Sequence, residues 1–287
     1  MRAPTNHVLV LDCPDRPGVV AAVAGFLADH HANIAEARHH IDAEARRSFM
    51  RTAFHDDGRG MPPLGALRAA FSPVAARFGM RWALQDGARR PRVLVAVSKQ
   101  GHCLNSLLHR WRNGTLPIDV VGVVSNHDTF RSMAQWHEVP FHHLPIAAGG
   151  KAAQEARLLA LFDECRADLL VLARYMQILG DDTCRALEGR AINIHHSFLP
   201  SFKGARPYHQ AHARGVKIIG ATAHYVTPDL DEGPIIEQSV ERVDHAVTPA
   251  DMVAIGHDIE SVVLNRAVRW HAEHRVFIDG ARTVVLR

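Results

Sequence analysis

Five apolar runs decide the fold of most of this chain: VLVAVS at residues 93–98, IDVVGVVSN at 118–126, FHHLPI at 141–146, DLLVLAR at 168–174 and AINIHHS at 191–197. Helical patterns such as KAAQEARLLALFDECR separate them. Near-continuous Val, Ile and Leu runs between helices are typical of parallel strands covered on both faces. We therefore predict an α/β domain with a mostly parallel sheet, whose ligand lies beyond the carboxyl ends of the strands.

Residues 6–86 show a different order of elements. The run HVLVLDCP (7–14) is predicted as a strand, and helical, extended, extended, helical and extended segments follow it, ending with MRWALQD (80–86). This βαββαβ order is the ferredoxin-like arrangement. The polar segment 86–91 contains glycine and proline, which are typical of a linker. We place the two domains at residues 1–88 and 89–287.

The composition excludes several classes of protein. The 287 residues are 47% hydrophobic and 22% charged, as in packed globular proteins. The net charge of +3 comes from scattered basic residues, so we expect no nucleic-acid partner. No apolar run reaches the roughly 18 residues that span a bilayer, and the N-terminus has no signal-peptide pattern. These features predict a cytoplasmic protein without a membrane partner.

Neither a metal nor a cofactor is expected from the sequence. The four cysteines lack a C-x-x-C pair, and the 21 histidines are spread along the whole chain. His209 and His212 have a spacing that could suit a metal, but no cysteine is near them. The turn after the first strand of the sheet, at 98–102, has one glycine instead of the three of a dinucleotide fingerprint.

Polar residues that suit acyl chemistry end the run at 191–197. Because side chains alternate along a strand, Asn193 and His195 share one face, and Ile192 and Ile194 share the other. Downstream, the run IIGATAHYV carries His224, and the turn TPDLDEGP carries Asp231, which could return over the same strand end.

Acyl chemistry needs a donor for the oxyanion, a carrier for the proton of the leaving amine, and a carboxylate that orients the nucleophile. Asn193, His195 and Asp231 are residues of these three kinds. Polar residues at an ordinary strand end and in a solvated turn would show the same spacing. Spacing alone therefore leaves a catalytic and a purely structural interpretation open.

The motif Asn193-Ile-His195, the run Leu199-Pro-Ser-Phe and the ending Asp231-Glu-Gly-Pro resemble the formyltransferase family over residues 90–287. The resemblance implies a Rossmann-like, mostly parallel sheet of the formyltransferase type. It also implies that Asn193, His195 and Asp231 are the catalytic residues and that His224 supports them.

Within this family, the pair His195-His196 and the ending DLDEGPIIEQ (229–238) are similar to the formyltetrahydrofolate deformylases. Transferases usually have a proline in place of His196 and a glycine-rich phosphate loop in place of 98–102. The resemblance implies an enzyme of one-carbon metabolism that hydrolyses 10-formyltetrahydrofolate to formate and tetrahydrofolate, whether or not the formate feeds purine biosynthesis. Two alternatives stay open: formyl transfer to an amine, and a non-catalytic sensor of folate and an amino acid.

The resemblance also assigns a folate pocket, in which the segment RYMQIL walls the pterin ring. The predicted substrate-binding residues are Arg174, Tyr175, Met176, Ile178, His196, Lys203, Gly204 and His224.

The motifs DCPDRPG (12–18) and Ala32-Asn33-Ile34 resemble an ACT domain. The resemblance implies a regulatory or oligomerisation module, a possible amino-acid effector, and a homo-oligomer, either a dimer or a tetramer. Whether this copy senses an amino acid or only assembles the oligomer stays open.

Overall fold

A computed structural model describes residues 7–146, 150–199 and 207–287 of the chain. Among these residues, no helix is long and apolar enough to cross a membrane. Two predicted substrate-binding residues, Lys203 and Gly204, lie outside the described residues.

The chain divides into two compact units. The first contains the residues up to Arg90 together with Glu273–Phe277 and Val284–Arg287, and the second contains Pro91–Ala272 and Ile278–Thr283. The predicted domains, 1–88 and 89–287, differ from this division mainly at the C-terminus. There Phe277 and Leu286 pack with Phe49 of the first unit, a contact that no local sequence pattern encodes.

The first unit has the predicted βαββαβ order. Its elements are β1 (His7–Pro14), α1 (Val19–Asp29), β2 (Ala32–Asp42), β3 (Arg47–Asp56), α2 (Leu64–Phe78) and β4 (Arg81–Asp86). The strands form an antiparallel sheet in the order β2-β3-β1-β4. Val23 and Leu27 of α1 and Leu67 and Phe71 of α2 are buried in one core with Leu9 of β1. The ferredoxin-like prediction is confirmed.

The second unit alternates strands and helices. Its elements are β5 (Arg92–Val97), α3 (His102–Arg112), β6 (Asp119–Ser125), α4 (Arg131–Trp136), β7 (Phe141–His143), α5 (Gly150–Glu164), β8 (Leu169–Leu172), α6 (Asp181–Ala186), β9 (Ala191–His195), α7 (Pro207–Ala213), β10 (Ile218–Tyr225), β11 (Ile235–Arg242) and α8 (Pro249–Ala272). Near the C-terminus, β12 (Val276–Asp279) and β13 (Arg282–Val285) form a separate two-stranded sheet.

The seven strands of the main sheet have the order β11-β10-β9-β8-β5-β6-β7. The five strands from β9 to β7 are parallel, and β10 runs antiparallel to both of its neighbours, β9 and β11. The predicted mostly parallel sheet is confirmed. The chain leaves β5 toward β6 and later returns to its other side with β8. Ligands of open α/β sheets bind at such a reversal, beyond the carboxyl ends of the strands.

Candidate active site

Strand β9 presents the first two catalytic candidates. Ile192 and Ile194 are buried, whereas Asn193 and His195 are partly exposed, as the alternation of a strand requires. Because β9 is parallel to β8 and ends at the same edge, its polar end lies beside the residues that follow β8. The predicted shared face of Asn193 and His195 is therefore present.

Strand β10 places His224 opposite Asn193 in the antiparallel register. Nδ2 of Asn193 lies 3.3 Å from Nε2 of His224, and Nδ1 of His224 lies 2.8 Å from the carbonyl oxygen of Tyr225. Only a donor can bind a carbonyl oxygen, so Nδ1 of His224 carries the proton and Nε2 accepts one N–H from Asn193. The amide of Asn193 keeps a second N–H for a ligand.

The segment after β10 brings Asp231 back to the end of β9. Asp231 has a φ of 59°, in the left-handed region that Asp enters more readily than most residues. Gly233 packs so closely on the end of β10 that a Cβ there would overlap the carbonyl oxygen of Tyr225. This close approach explains why the turn needs a glycine two residues after the catalytic candidate.

Asp231 contacts both imidazoles. Its Oδ2 lies 3.2 Å from Nδ1 of His195, and its Oδ1 lies 3.6 Å from Nε2 of His224. Burial would raise the pKa of Asp231, but the contacts with His195 and His224 outweigh burial and hold this pKa well below its ordinary value. Asp231 is therefore a carboxylate at neutral pH, and the Nδ1–H of His195 orients it.

A cavity of about 660 Å³ contains this group. Its lining includes the predicted residues Asn193, His195, His196, His224, Asp231, Arg174, Tyr175, Met176 and Ile178. The lining also includes apolar residues that were not predicted, among them Leu199, Val226, Leu230 and Ile235. The volume suits a ligand of the size of a small cofactor or drug.

Apolar side chains at the cavity are unusually exposed. Met176 and Ile178 are each 59% exposed, and Leu230 is 55% exposed. Tyr175 is instead buried in the core of the sheet. Exposed apolar residues that line one cavity indicate a ligand with a large apolar face.

Ser98 fixes the segment that carries Met176. The hydroxyl of Ser98 donates to Oδ1 of Asn126 at 2.7 Å and accepts the backbone N–H of Met176 at 2.9 Å. The backbone N–H of Ser98 also donates to the carbonyl oxygen of Arg174. These contacts hold the ends of β5 and β8 together, and the sequence offered only the position of Ser98 at a strand end as a signal.

One group of possible metal ligands lies among the described residues: His102, Cys103 and Glu260. The carboxylate of Glu260 already binds His102, Tyr208 and the guanidinium of Arg174. A cation would compete with the positive charge of Arg174 for the same oxygens, so this donor set fits a metal poorly.

Two family models match the chain. The model of the formyl transferase family matches residues 91–268, and that of the ACT domain matches residues 7–60. A formyltetrahydrofolate deformylase of Corynebacterium sp. is 53% identical over 287 residues, which are 100% of both chains.

A crystal structure of formyltetrahydrofolate deformylase from Burkholderia mallei superposes with a TM-score of 0.93 at 53% identity, over 99% of this chain and 100% of that chain. The chain belongs to the formyltetrahydrofolate deformylase family. The family resemblance expected from the motifs, including the ACT domain, is thereby confirmed.

The transferase branch matches over a shorter length. Glycinamide ribonucleotide transformylase 1 from Symbiobacterium toebii is 33% identical with a TM-score of 0.66, and the match covers 95% of that chain but 69% of this one. The deformylase relatives therefore share both units of this chain, whereas this transferase does not match its full length.

Proposed function

We propose that this chain hydrolyses 10-formyltetrahydrofolate to formate and tetrahydrofolate, with water as the formyl acceptor. The observation that carries the proposal is the contact between His195 and Asp231 in the lining of the cavity, in a chain that belongs to the deformylase family. Asn193, His195 and Asp231 are the proposed catalytic residues.

In the proposed reaction, the carboxylate of Asp231 orients a water molecule and accepts its proton. The water oxygen forms a bond to the formyl carbon, and the resulting oxyanion accepts the free amide N–H of Asn193. The C–N bond then breaks, its electron pair goes to the nitrogen, and the imidazolium of His195 donates its Nε2 proton to that nitrogen. The proton that Asp231 accepted then restores the imidazolium, and the formic acid loses its own proton to solvent as formate. Formate and tetrahydrofolate are the products, and no cofactor or metal takes part.

The pairing with Asp231 gives His195 a defined orientation. Nδ1 of His195 donates to the carboxylate, so Nε2 is the nitrogen left for proton exchange with the substrate. Asp231 can bind His195 and orient the water molecule at the same time, because a carboxylate can accept several hydrogen bonds at once.

Substrate binding is proposed to use both faces of the cavity. Met176, Ile178 and Leu230 supply exposed apolar surface for the flat pterin ring. His196 and His224 supply polar groups beside it. Lys203 and Gly204 stay predictions as further binding residues.

The identity of the formyl acceptor is tested by measuring the amounts of both products. The purified chain is incubated with 10-formyltetrahydrofolate, and formate and tetrahydrofolate are quantified with and without added primary amines. We expect equal amounts of both products, independent of the amine. Release of tetrahydrofolate only with an amine would favour the transferase alternative, and release of neither product would favour the non-catalytic sensor.

The first unit is proposed to mediate self-association into a dimer or tetramer, with an amino acid as a possible effector. The match to the ACT domain supports this proposal. Light scattering of the full chain, with and without each amino acid, tests it.

A cytoplasmic location is also proposed. The four free cysteines, Cys13, Cys103, Cys165 and Cys184, suit such a reducing compartment.

A further inference from the structure

A buried carboxylate lies behind the catalytic strand. Glu260 on α8 is completely buried. It shares its face of the helix with the core residues Val263 and Leu264, where a charged side chain is unusual. Oε2 of Glu260 lies 2.7 Å from Nε2 of His102, and Oε1 accepts the hydroxyl of Tyr208 at 2.9 Å. A buried charge needs such partners, because its desolvation is costly.

The contact between Glu260 and Tyr208 depends on a glycine of α8. Gly256 lies one turn before Glu260 on α8, and a Cβ at that position would overlap the ring and the hydroxyl of Tyr208. Glycine therefore allows Tyr208 to reach the carboxylate. Burial would raise the pKa of Glu260, but the contacts with His102, Arg174 and Tyr208 outweigh burial and lower it, so the group is charged.

Arg174 connects this carboxylate to the active site. Its Nε lies 3.3 Å from Oε2 of Glu260 and 2.9 Å from Oε1 of Gln100, and its Nη1 lies 2.9 Å from Nδ1 of His196. Arg174 is buried and has a φ of 62°, a left-handed backbone conformation that is rare for a long side chain. Such strain persists only where the surroundings impose it.

The contact with Arg174 determines which nitrogen of His196 carries a proton. A guanidinium has only N–H donors, so Nδ1 of His196 must accept. A ring that accepts at Nδ1 is neutral and carries its proton on Nε2. This ring stacks on His195, with 4.6 Å between centroids and 25° between planes.

We propose that Arg174, anchored by Glu260, is a positioning residue that fixes His196 as the neutral Nε2–H tautomer against His195. The inference rests on the proposed function, in which His195 carries the proton. A second positive ring stacked on His195 would oppose the protonated form of His195 that the leaving amine needs.

The charges around His196 agree with this assignment. Burial, then Arg174 and His195, lower the pKa of His196 to about 4, whereas the carboxylates of Glu260 and Asp231 act in the opposite direction. The ring of Tyr208 is also near, at 6.4 Å between centroids.

The tautomer can be observed directly. In protein labelled with ¹⁵N-histidine, two-bond ¹⁵N–¹H correlation spectra distinguish Nε2–H, Nδ1–H and cationic rings. Between pH 5.5 and 7 we expect the wild-type spectrum to contain a signal from a neutral Nε2–H ring that is missing from the spectrum of His196→Asn. This signal then belongs to His196. A His196 ring that is cationic, or protonated at Nδ1, in this range would overturn the proposal.

The variant that tests the role of the pair is Arg174→Gln/Glu260→Gln, which removes both buried charges together and leaves neither unpaired. We expect the titration midpoint of His196 to rise, because Arg174 lowers this pKa by more than Glu260 raises it, while burial still holds the midpoint below the ordinary value. An unchanged midpoint and tautomer in the folded double variant would contradict the inference.

The kinetic consequence is a change in pH profile. A larger share of His196 would be protonated in acid in the variant than in the wild type, so the acid limb of its kcat/KM profile should move to higher pH. An equal loss at every pH would mean a merely structural role and would overturn the proposal.

A matched control removes an Arg–Glu pair elsewhere. Arg157→Gln/Glu164→Gln makes the same two changes at a solvent-exposed pair on α5, and its pH profile should equal that of the wild type. A shifted profile in this control as well would overturn the assignment to Arg174 and Glu260. The spectra need no turnover, so they test the tautomer even if the wild type releases no formate and the proposed function fails.

Discussion

Nδ1 of His195 lies 3.2 Å from Oδ2 of Asp231, although the two residues are separated in sequence by a helix and a strand. The contact depends on the turn after β10, which returns Asp231 to the end of β9. It sets the orientation of the imidazole, and the imidazole in turn keeps the carboxylate ionised. Asp231 therefore orients His195 for its proposed role as proton donor, and His195 keeps Asp231 ionised for its proposed role beside the water molecule.

Removing the oxyanion donor should slow the reaction without unfolding the protein. For Asn193→Ala we expect kcat for formate release to fall by about a hundredfold or more, with KM changed much less, because the N–H acts mainly on the transition state. Asn113→Ala, at an exposed position after α3, is the control and should leave kcat unchanged. Equal kcat values for Asn193→Ala and the wild type would exclude the assigned role.

Acid should destabilise the wild type more than His196→Asn. The pKa of His196 is about 4 in the folded chain and should be about 6.5 when unfolded, so only the unfolded state gains a proton between these values. The stability contribution is present above pH 6.5 and is lost as the pH falls toward 4. From pH 7 to 4.5 the wild type should lose about 2 kcal/mol more than the variant, with an allowance for partial solvent access. Urea unfolding at both pH values measures this difference, and identical pH dependence would contradict it.

Adding one methyl group at Gly233 should displace Asp231. Since the Cβ would overlap the carbonyl oxygen of Tyr225, Gly233→Ala must move the turn, and we expect at least a tenfold loss of kcat/KM together with about 1–3 kcal/mol of lost stability. Gly25→Ala is the control: it lies within α1 with open space around its Cβ, so activity should be unchanged. Thermal unfolding and formate release measure both effects, and a fully active Gly233→Ala would argue against the role of the turn.

Ser98 should affect substrate binding more than chemistry. Ser98→Ala removes the hydrogen bond to the backbone of Met176, and one lost hydrogen bond of about 1 kcal/mol corresponds to roughly a fivefold rise in KM. Ser106→Ala, whose hydroxyl accepts from Asn265 instead, should leave KM unchanged. A normal KM for Ser98→Ala would mean that the segment after β8 holds its position without this contact.

Much of the fold was accessible from local patterns. Runs of Val, Ile and Leu marked the parallel strands, and the alternation along β9 placed Asn193 and His195 on one face. Pairings between distant segments were not accessible: the antiparallel β10 and β11, and the packing of Phe277 and Leu286 with Phe49. Such contacts depend on chain topology, which periodicity does not encode.

The sequence predicted the three proposed catalytic residues, which lie together in the structure, but not the residues that support them. Motif resemblance identified Asn193, His195 and Asp231, whereas Glu260 was not predicted. A glutamate on the apolar face of α8, three and four residues before Val263 and Leu264, was the available signal. Its partners Arg174 and Tyr208 come from separate elements, so only the folded chain shows that they meet.

The most direct test of the account is formate release from 10-formyltetrahydrofolate by the wild type, Asp231→Asn and Asp229→Asn, each with its fold confirmed by circular dichroism. Asp229 is an exposed residue of the same turn, so its variant is the matched control. We expect Asp229→Asn to match the wild type and Asp231→Asn to fall by about a thousandfold or more, because an amide neither takes a proton nor orients His195 as a carboxylate does. Wild-type turnover in Asp231→Asn would contradict the account.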